Sequence, residues 1–133
     1  MDYIMQTAQG IKVHTGVKII EYDKSINKFL NEQLYAELTT LSGRKEALKQ
    51  LFKLKNNIPI YIDNNTCLFE SHHHRDLDNV FINANQVIAV QSEGEQTLIT
   101  FKQFHTLKVN KPCRKLMKKW KATKAIMKRI ELM

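Results

Sequence analysis

The apolar residues of this chain change their spacing three times, and that limits the folds open to it. From Ile11 to Tyr22 they form short β-prone runs bent at Gly16, which read as one or two strands. From Ser25 they recur three or four apart. Ile26, Phe29, Leu30, Leu34, Leu38 and Leu41 then share one face of a helix, with Asp23 or Ser25 as N-cap. Ser42-Gly43 punctuates this pattern, and Arg44 to Lys55 predicts a second helix with Leu48, Leu51 and Phe52 inward. Its bases Arg44, Lys45, Lys49 and Lys53 fall mostly outward. Asn56-Asn57 and Pro59 end it.

Strand spacing returns at Ile58 to Ile62, followed by a turn at Asp63-Asn64-Asn65 and a hairpin partner from Thr66 to Phe69. Residues 71–79 read as an exposed loop. Four β-prone segments follow: Val80 to Ile82, Val87 to Gln91, Thr97 to Phe101 and Thr106 to Val109. Their spacing predicts an antiparallel meander. Pro112 suits the first turn of a last helix, because its missing N–H costs nothing there. Cys113, Leu116, Met117, Trp120, Thr123, Met127 and Ile130 then follow helical spacing. The expected fold is α+β: N-terminal strands and helices, a small antiparallel β-meander and a C-terminal amphipathic basic helix over 112–131. The length of 133 residues fits one domain spanning 1–133.

Charge is segregated along this frame. The chain carries +8, yet residues 1–110 hold 12 bases and 12 acids and are neutral. Residues 111–133 hold nine bases and one acid, Glu131, so the whole excess lies on the last helix. Arg114, Lys118, Lys121 and Lys128 fall on one side, flanked by Lys111, Lys115, Lys119, Lys124 and Arg129. Such a local field attracts polyanions. It can serve DNA phosphates, a membrane surface or solubility alone. The Leu116–Trp120–Ile130 seam is narrow enough for core packing to consume it.

Other chemistry finds little support. No nucleophile elbow, P-loop, dinucleotide fingerprint or zincin motif occurs. His72-His73-His74, with Asp76 and Asp78, reads as a polar surface loop and not a metal site, since adjacent histidines on irregular backbone rarely aim at one ion. Glu21, Glu32, Glu37, Glu93 and Glu95 sit on expected outer faces or turns, where no pair shares an apolar cleft for acid–base work. No catalytic residue, metal or cofactor is expected. Cys67 and Cys113 form no CxxC and read as buried free thiols of a reducing cytosol. No run approaches the length that spans a bilayer, and the first residues lack a signal pattern. A cytoplasmic protein is expected.

Several segments, in order, resemble the family of the competence transcription factor ComK. Gly43-Arg44-Lys45 is similar to its Gly-Arg-Lys element, and Ile58-Pro59-Ile60-Tyr61-Ile62-Asp63 to its Pro-Pro-Ile element. Cys67-Leu68-Phe69-Glu70-Ser71 resembles its Phe-Pro-Thr turn, and Phe81-Ile82 with Val87 its Trp-Ile segment. Leu98 to Phe101 and Leu107 to Val109 resemble a two-strand element, with Trp120 in the helix after it. The resemblance spans residues 43 to about 125. Glu70 and Phe81 depart from the family's proline and tryptophan, no Gly follows Phe101, and the chain is short for the family.

The resemblance implies a regulator that binds A/T-rich double-stranded DNA through the minor groove, as a homo-oligomer, under control of a Clp-protease adaptor. Arg44, Lys45 and Lys49 are then candidates for DNA contact, and Arg114, Lys115, Lys118, Lys119 and Lys121 for holding phosphates. The departures motivate an alternative, a protein-interaction module without DNA binding. A lipid-binding domain is a third class.

Overall fold

The computed structural model describes all 133 residues. Gly16, with φ of 55°, turns the chain so that Thr15 pairs with Lys18, and β2 (Ile11–Thr15) and β3 (Lys18–Tyr22) form a hairpin. A left-handed backbone suits glycine there. A Cβ on Gly16 would lie 2.4 Å from Oε1 of Gln103, the end of an exposed flexible side chain that can move aside, so the backbone angle is what calls for glycine. β1 (Tyr3–Gln6) pairs with β2 on one side and with β6 (Val80–Asn83) on the other. β4 (Ile60–Asp63) and β5 (Thr66–Glu70) complete a six-stranded antiparallel sheet of order β3-β2-β1-β6-β5-β4.

Side chains alternate across this sheet, so each face collects its own core. On one face Ile4, Ile11, Val13, Ile60, Ile62, Leu68 and Phe81 receive Phe29, Leu30 and Leu34 of α1 (Ile26–Tyr35). Ser25 caps α1, its side chain accepting the Lys28 N–H. On the other face Tyr3, Phe69, Val80 and Ile82 meet a second sheet, β7 (Val87–Glu93), β8 (Gln96–Phe101) and β9 (Thr106–Val109). The last helix, α3 (Cys113–Glu131), packs into this layer through Leu116. A third cluster joins Leu48 of α2 (Leu41–Phe52), Tyr61, Cys67 and Ile126, closing the β4 edge. Each fully buried Leu or Ile in these clusters contributes about 1.5–3 kcal/mol.

Asn83 locks the layers at one corner. Its Oδ1 accepts the N–H groups of Cys67 and Asn85, and its Nδ2 donates to the carbonyls of Met1 and Asn65.

The α+β class and the antiparallel pairing match the sequence expectation, and five details differ, the smallest being that Leu51 of α2, expected inward, is 52% exposed. β1 lies at the centre of the large sheet, although Tyr3 to Gln6 carry no alternation that marks a strand. The first helix stops at Tyr35, and Leu38 is left 95% exposed with φ of 60°. Thr40 is the reason: its Oγ1 accepts the Gly43 N–H, so Ser42 and Gly43 open α2 and do not separate the helices. The meander has three strands, because Val80 to Asn83 joins the large sheet between β1 and β5. Ser71, His72 and Asn79 are buried, leaving only residues 73–78 as exposed loop.

Candidate nucleic-acid interface

Pro112 is the N-cap of α3, and the apolar stripe behind it faces inward along the whole helix. Leu116 is fully buried, and the Cys113 thiol lies 3.8 Å from the Val90 carbonyl. Trp120 donates its indole N–H to the Ala84 carbonyl at 3.3 Å. Thr123 is buried but satisfied, its hydroxyl donating to the Lys119 carbonyl at 2.8 Å. Ile126 belongs to the stripe as well, and Met127 and Ile130 pack beside it.

At 3.6 residues per turn, the positions left for the outer arc are Arg114, Lys115, Lys118, Lys121, Ala122, Lys124, Ala125, Lys128 and Arg129. All nine are exposed, seven are bases and the other two are alanines. The outer face is therefore cationic from end to end, over about 28 Å of helix. Nothing in the body neutralises it. The ion pairs of the molecule are Lys12–Glu21 at 3.5 Å, Lys24–Glu32 at 2.8 Å and Lys108–Glu93 at 2.8 Å, and none involves α3. Arg129 alone leans inward, its guanidinium 4.7 Å from the centre of the Phe52 ring.

Lys119 is set apart from the other bases. It is half-buried, and its ammonium donates to the Glu70 carbonyl at 2.9 Å, tying α3 to β5. Burial first, then the like charges of Lys111 and Lys115, hold its pKa below the ordinary lysine range, while Glu70 pulls the other way. Its place in the structure is that of a tether.

The bases of α2 do not join this face as a group. Arg44 lies over the Tyr61 ring, 5.4 Å from its centre, on the side of the sheet that carries α3. Lys45 turns the other way and lines a cleft of about 540 Å³ with Leu30, Asn31, Glu70 and Phe81, on the α1 side. Lys49 is exposed.

The three histidines separate. A carbonyl only accepts, so His72 Nε2 donates to the Asn110 carbonyl at 3.0 Å. Nδ1 then accepts from the Ser71 hydroxyl at 2.7 Å, and that hydroxyl accepts the Val80 N–H at 2.8 Å. This chain holds the segment leading into α3 against the β5–β6 connection. His73 and His74 are exposed and lie against each other with their rings tilted by 31°, centres 4.2 Å apart. The three rings thus do not converge on one point. A run of identical residues gave no sign that its first member turns inward.

These features define a small α+β module whose closing helix is anchored by one face and uncompensated in charge on the other. A family model described as ComK protein matches residues 5–132, nearly the whole chain, and the chain belongs to that family. Membership makes it a competence-factor-like regulator and sets it in a family of transcription factors, not of enzymes. Neither the curated proteins nor the solved structures give a match to it. No helix is long and apolar enough to cross a membrane.

Proposed function

We propose that the protein is a DNA-binding transcription regulator that meets the phosphates of A/T-rich promoter DNA with the outer face of α3. The observation that carries this reading is the seven-base arc of α3, exposed along its length and free of ion pairs. Phosphate contacts from such a face supply affinity and orientation but no sequence information. Arg114, Lys115, Lys118 and Lys121 hold phosphates in this scheme, together with Lys124, Lys128 and Arg129. Lys119 positions the helix.

A preference for A/T-rich sites is part of this proposal because the resemblance implies it and it suits the chemistry: narrow A/T-rich minor grooves concentrate negative potential that draws Arg and Lys. Arg44 is the α2 base best placed to add a contact, being on the α3 side of the sheet. The membrane-surface reading loses ground for a geometric reason. The apolar stripe that would enter a bilayer is spent on the core, and the exposed face offers only the methyl groups of two alanines. Such a regulator acts in the cytoplasm, without metal, cofactor or catalytic step, and degradation through a Clp-protease adaptor remains part of the family reading.

The test is a titration of a labelled A/T-rich duplex and a G/C-rich duplex over a range of salt. Binding that falls steeply with salt and favours the A/T-rich duplex is expected. No binding to either duplex at low salt removes the proposal and leaves the interaction module in its place.

A further inference from the structure

Asp2 is the one carboxylate residue among the buried residues of the molecule, at 5% exposure. Its backbone is pinned on both sides. The N–H donates to the His14 carbonyl at 2.7 Å, and the carbonyl accepts the Asn83 N–H at 2.9 Å. The side chain is thereby held beside the β2–β3 turn, where Oδ2 accepts the Gly16 N–H at 3.2 Å. That is its one hydrogen bond, so Oδ1 accepts nothing from the chain, and Asp2 takes part in none of the ion pairs. A carboxylate drawn out of water with a single long hydrogen bond and no cation is unfavourable by itself.

A second unsatisfied group lies beside it. His14 stacks on Tyr3, and its Nε2 is the one buried side-chain nitrogen or oxygen without a hydrogen-bond partner. Asp2 and His14 line the same cleft, of about 360 Å³, which is within the range of small-molecule sites. Thr106 of β9 and His105 before it complete the polar lining. Val17 and Ile19, both exposed, supply apolar wall.

We infer that this cleft binds a primary alkylammonium group, with the ammonium on Oδ1 of Asp2 and the alkyl stem against Val17 and Ile19. An ammonium carries three donors and no acceptor. Asp2 Oδ1 and the Thr106 hydroxyl can each accept one of them. The imidazole of His14 can accept another, since burial keeps its pKa below 6.5 and leaves the ring neutral at physiological pH. A guanidinium is matched less well, because its fork suits two free oxygens and Oδ2 is engaged by Gly16. An anion is opposed by Asp2. No three histidine, cysteine or acidic side chains come together to hold a metal ion. The cleft is built from β1, the β2–β3 hairpin and the start of β9, so its occupant bridges the two sheets and uses no residue of α3. The inference therefore stands apart from the DNA reading.

The experiment titrates the isotope-labelled full chain with n-butylammonium at neutral pH and constant ionic strength, following amide chemical shifts and the thermal midpoint. Saturable shifts at Gly16 and Thr106 are expected, with a midpoint that climbs with ligand concentration. n-Butanol has the stem without the charge, and n-butyltrimethylammonium has the charge without an N–H; neither should saturate these shifts. Asp2→Asn keeps an oxygen for the Gly16 N–H and should weaken binding roughly tenfold or more. Nα-acetyl-lysine methylamide presents the same group on a peptide. Tighter binding than n-butylammonium assigns the cleft to a lysine of a partner protein, and weaker binding assigns it to a free amine; either upholds the site. Absence of saturable shifts at Gly16 and Thr106, equal binding of the trimethyl analogue, or undiminished binding by Asp2→Asn overturns the inference. Should Asp2→Asn fail to fold, the wild-type shifts and the trimethyl analogue decide it.

Discussion

The salt dependence of binding can be worked from the outer arc of α3. Arg114, Lys118, Lys121 and Lys128 lie nearest its middle and can face one surface together. If each neutralises one phosphate, the slope of log K against log salt is about −3.6. A fourfold rise in salt then weakens binding about 150-fold, or about 3 kcal/mol. The perturbation is to change all four to Gln, which keeps helix propensity close to that of Lys and Arg. None of the four is in an ion pair and all are exposed, so the thermal midpoint should hold. Fluorescence anisotropy on an A/T-rich duplex should show the variant losing most of the slope, with Lys115, Lys124 and Arg129 supplying the residue. Lys12→Gln with Lys108→Gln is the matched control, because both lysines are held by acids of the body. An unchanged slope in the quadruple variant, or an equal drop per charge in the control, would mean that α3 is not the contact face.

Three further outcomes follow from buried groups. His14 stacks on Tyr3 with its Nε2 buried and unpartnered, and burial, then Lys12, lowers its pKa below 6.5 against the pull of Asp2. The unfolded state therefore takes the proton more readily, so stability is full above about pH 6.5 and is lost as pH falls through the lowered folded value. His14→Phe should flatten the thermal midpoint over that window, and parallel curves for the two proteins would contradict this. Asn83→Leu removes four hydrogen bonds at the corner of the sheet and should cost about 3 kcal/mol in urea denaturation; a loss below about 1 kcal/mol would show the corner to be dispensable. The Cys67 thiol is fully buried and its pKa is pushed up to about 12 by that burial, so a thiol reagent at pH 8 should label the half-buried Cys113 and spare Cys67 in the native protein. Mass spectrometry reads the order, and prior modification of Cys67 would refute the packing at β5.

What the sequence disclosed was whatever depends on local spacing. Leu116, Trp120 and Ile130 marked the inner face of α3, and the bases between them marked its outer face, because one helix carries both signals within a few turns. Of the two caps the spacing offered, Asp23 and Ser25, Ser25 is the one that starts α1, its capping bond reaching only to Lys28. Long-range pairing left no such trace. Tyr3 to Gln6 form the strand that joins the two halves of the large sheet, yet its partners are residues 11–14 and 80–82, and four residues are too few to show a period. The resemblance was legible only from Gly43 onward, where motifs stand in order, while the family match extends back to residue 5. That upstream stretch builds strands and a helix whose apolar residues pack as a layer, with single residues set only at points such as the Gly16 turn and the Ser25 cap.

The same limit explains why the bases of α2 and α3 looked like one set and are not. Charge adds up along a sequence, but contact with a duplex depends on a shared face. Lys45 and Arg44 are neighbours in sequence, and a rotation of about 100° between successive helix positions sends one to the α1 cleft and the other over Tyr61. In α3 the same rotation does no harm, because the bases are so dense that every outward position but two is filled. A single helix packed along its inner side can thus offer a continuous cationic strip without tertiary arrangement of separate elements. The cost falls on Lys119, the base nearest the seam, which is partly desolvated and beside Lys111 and Lys115. Its bond to the Glu70 carbonyl offsets that cost and helps hold the rotation of α3 about its axis, with the other bases on the exposed side and only Arg129 leaning back over Phe52.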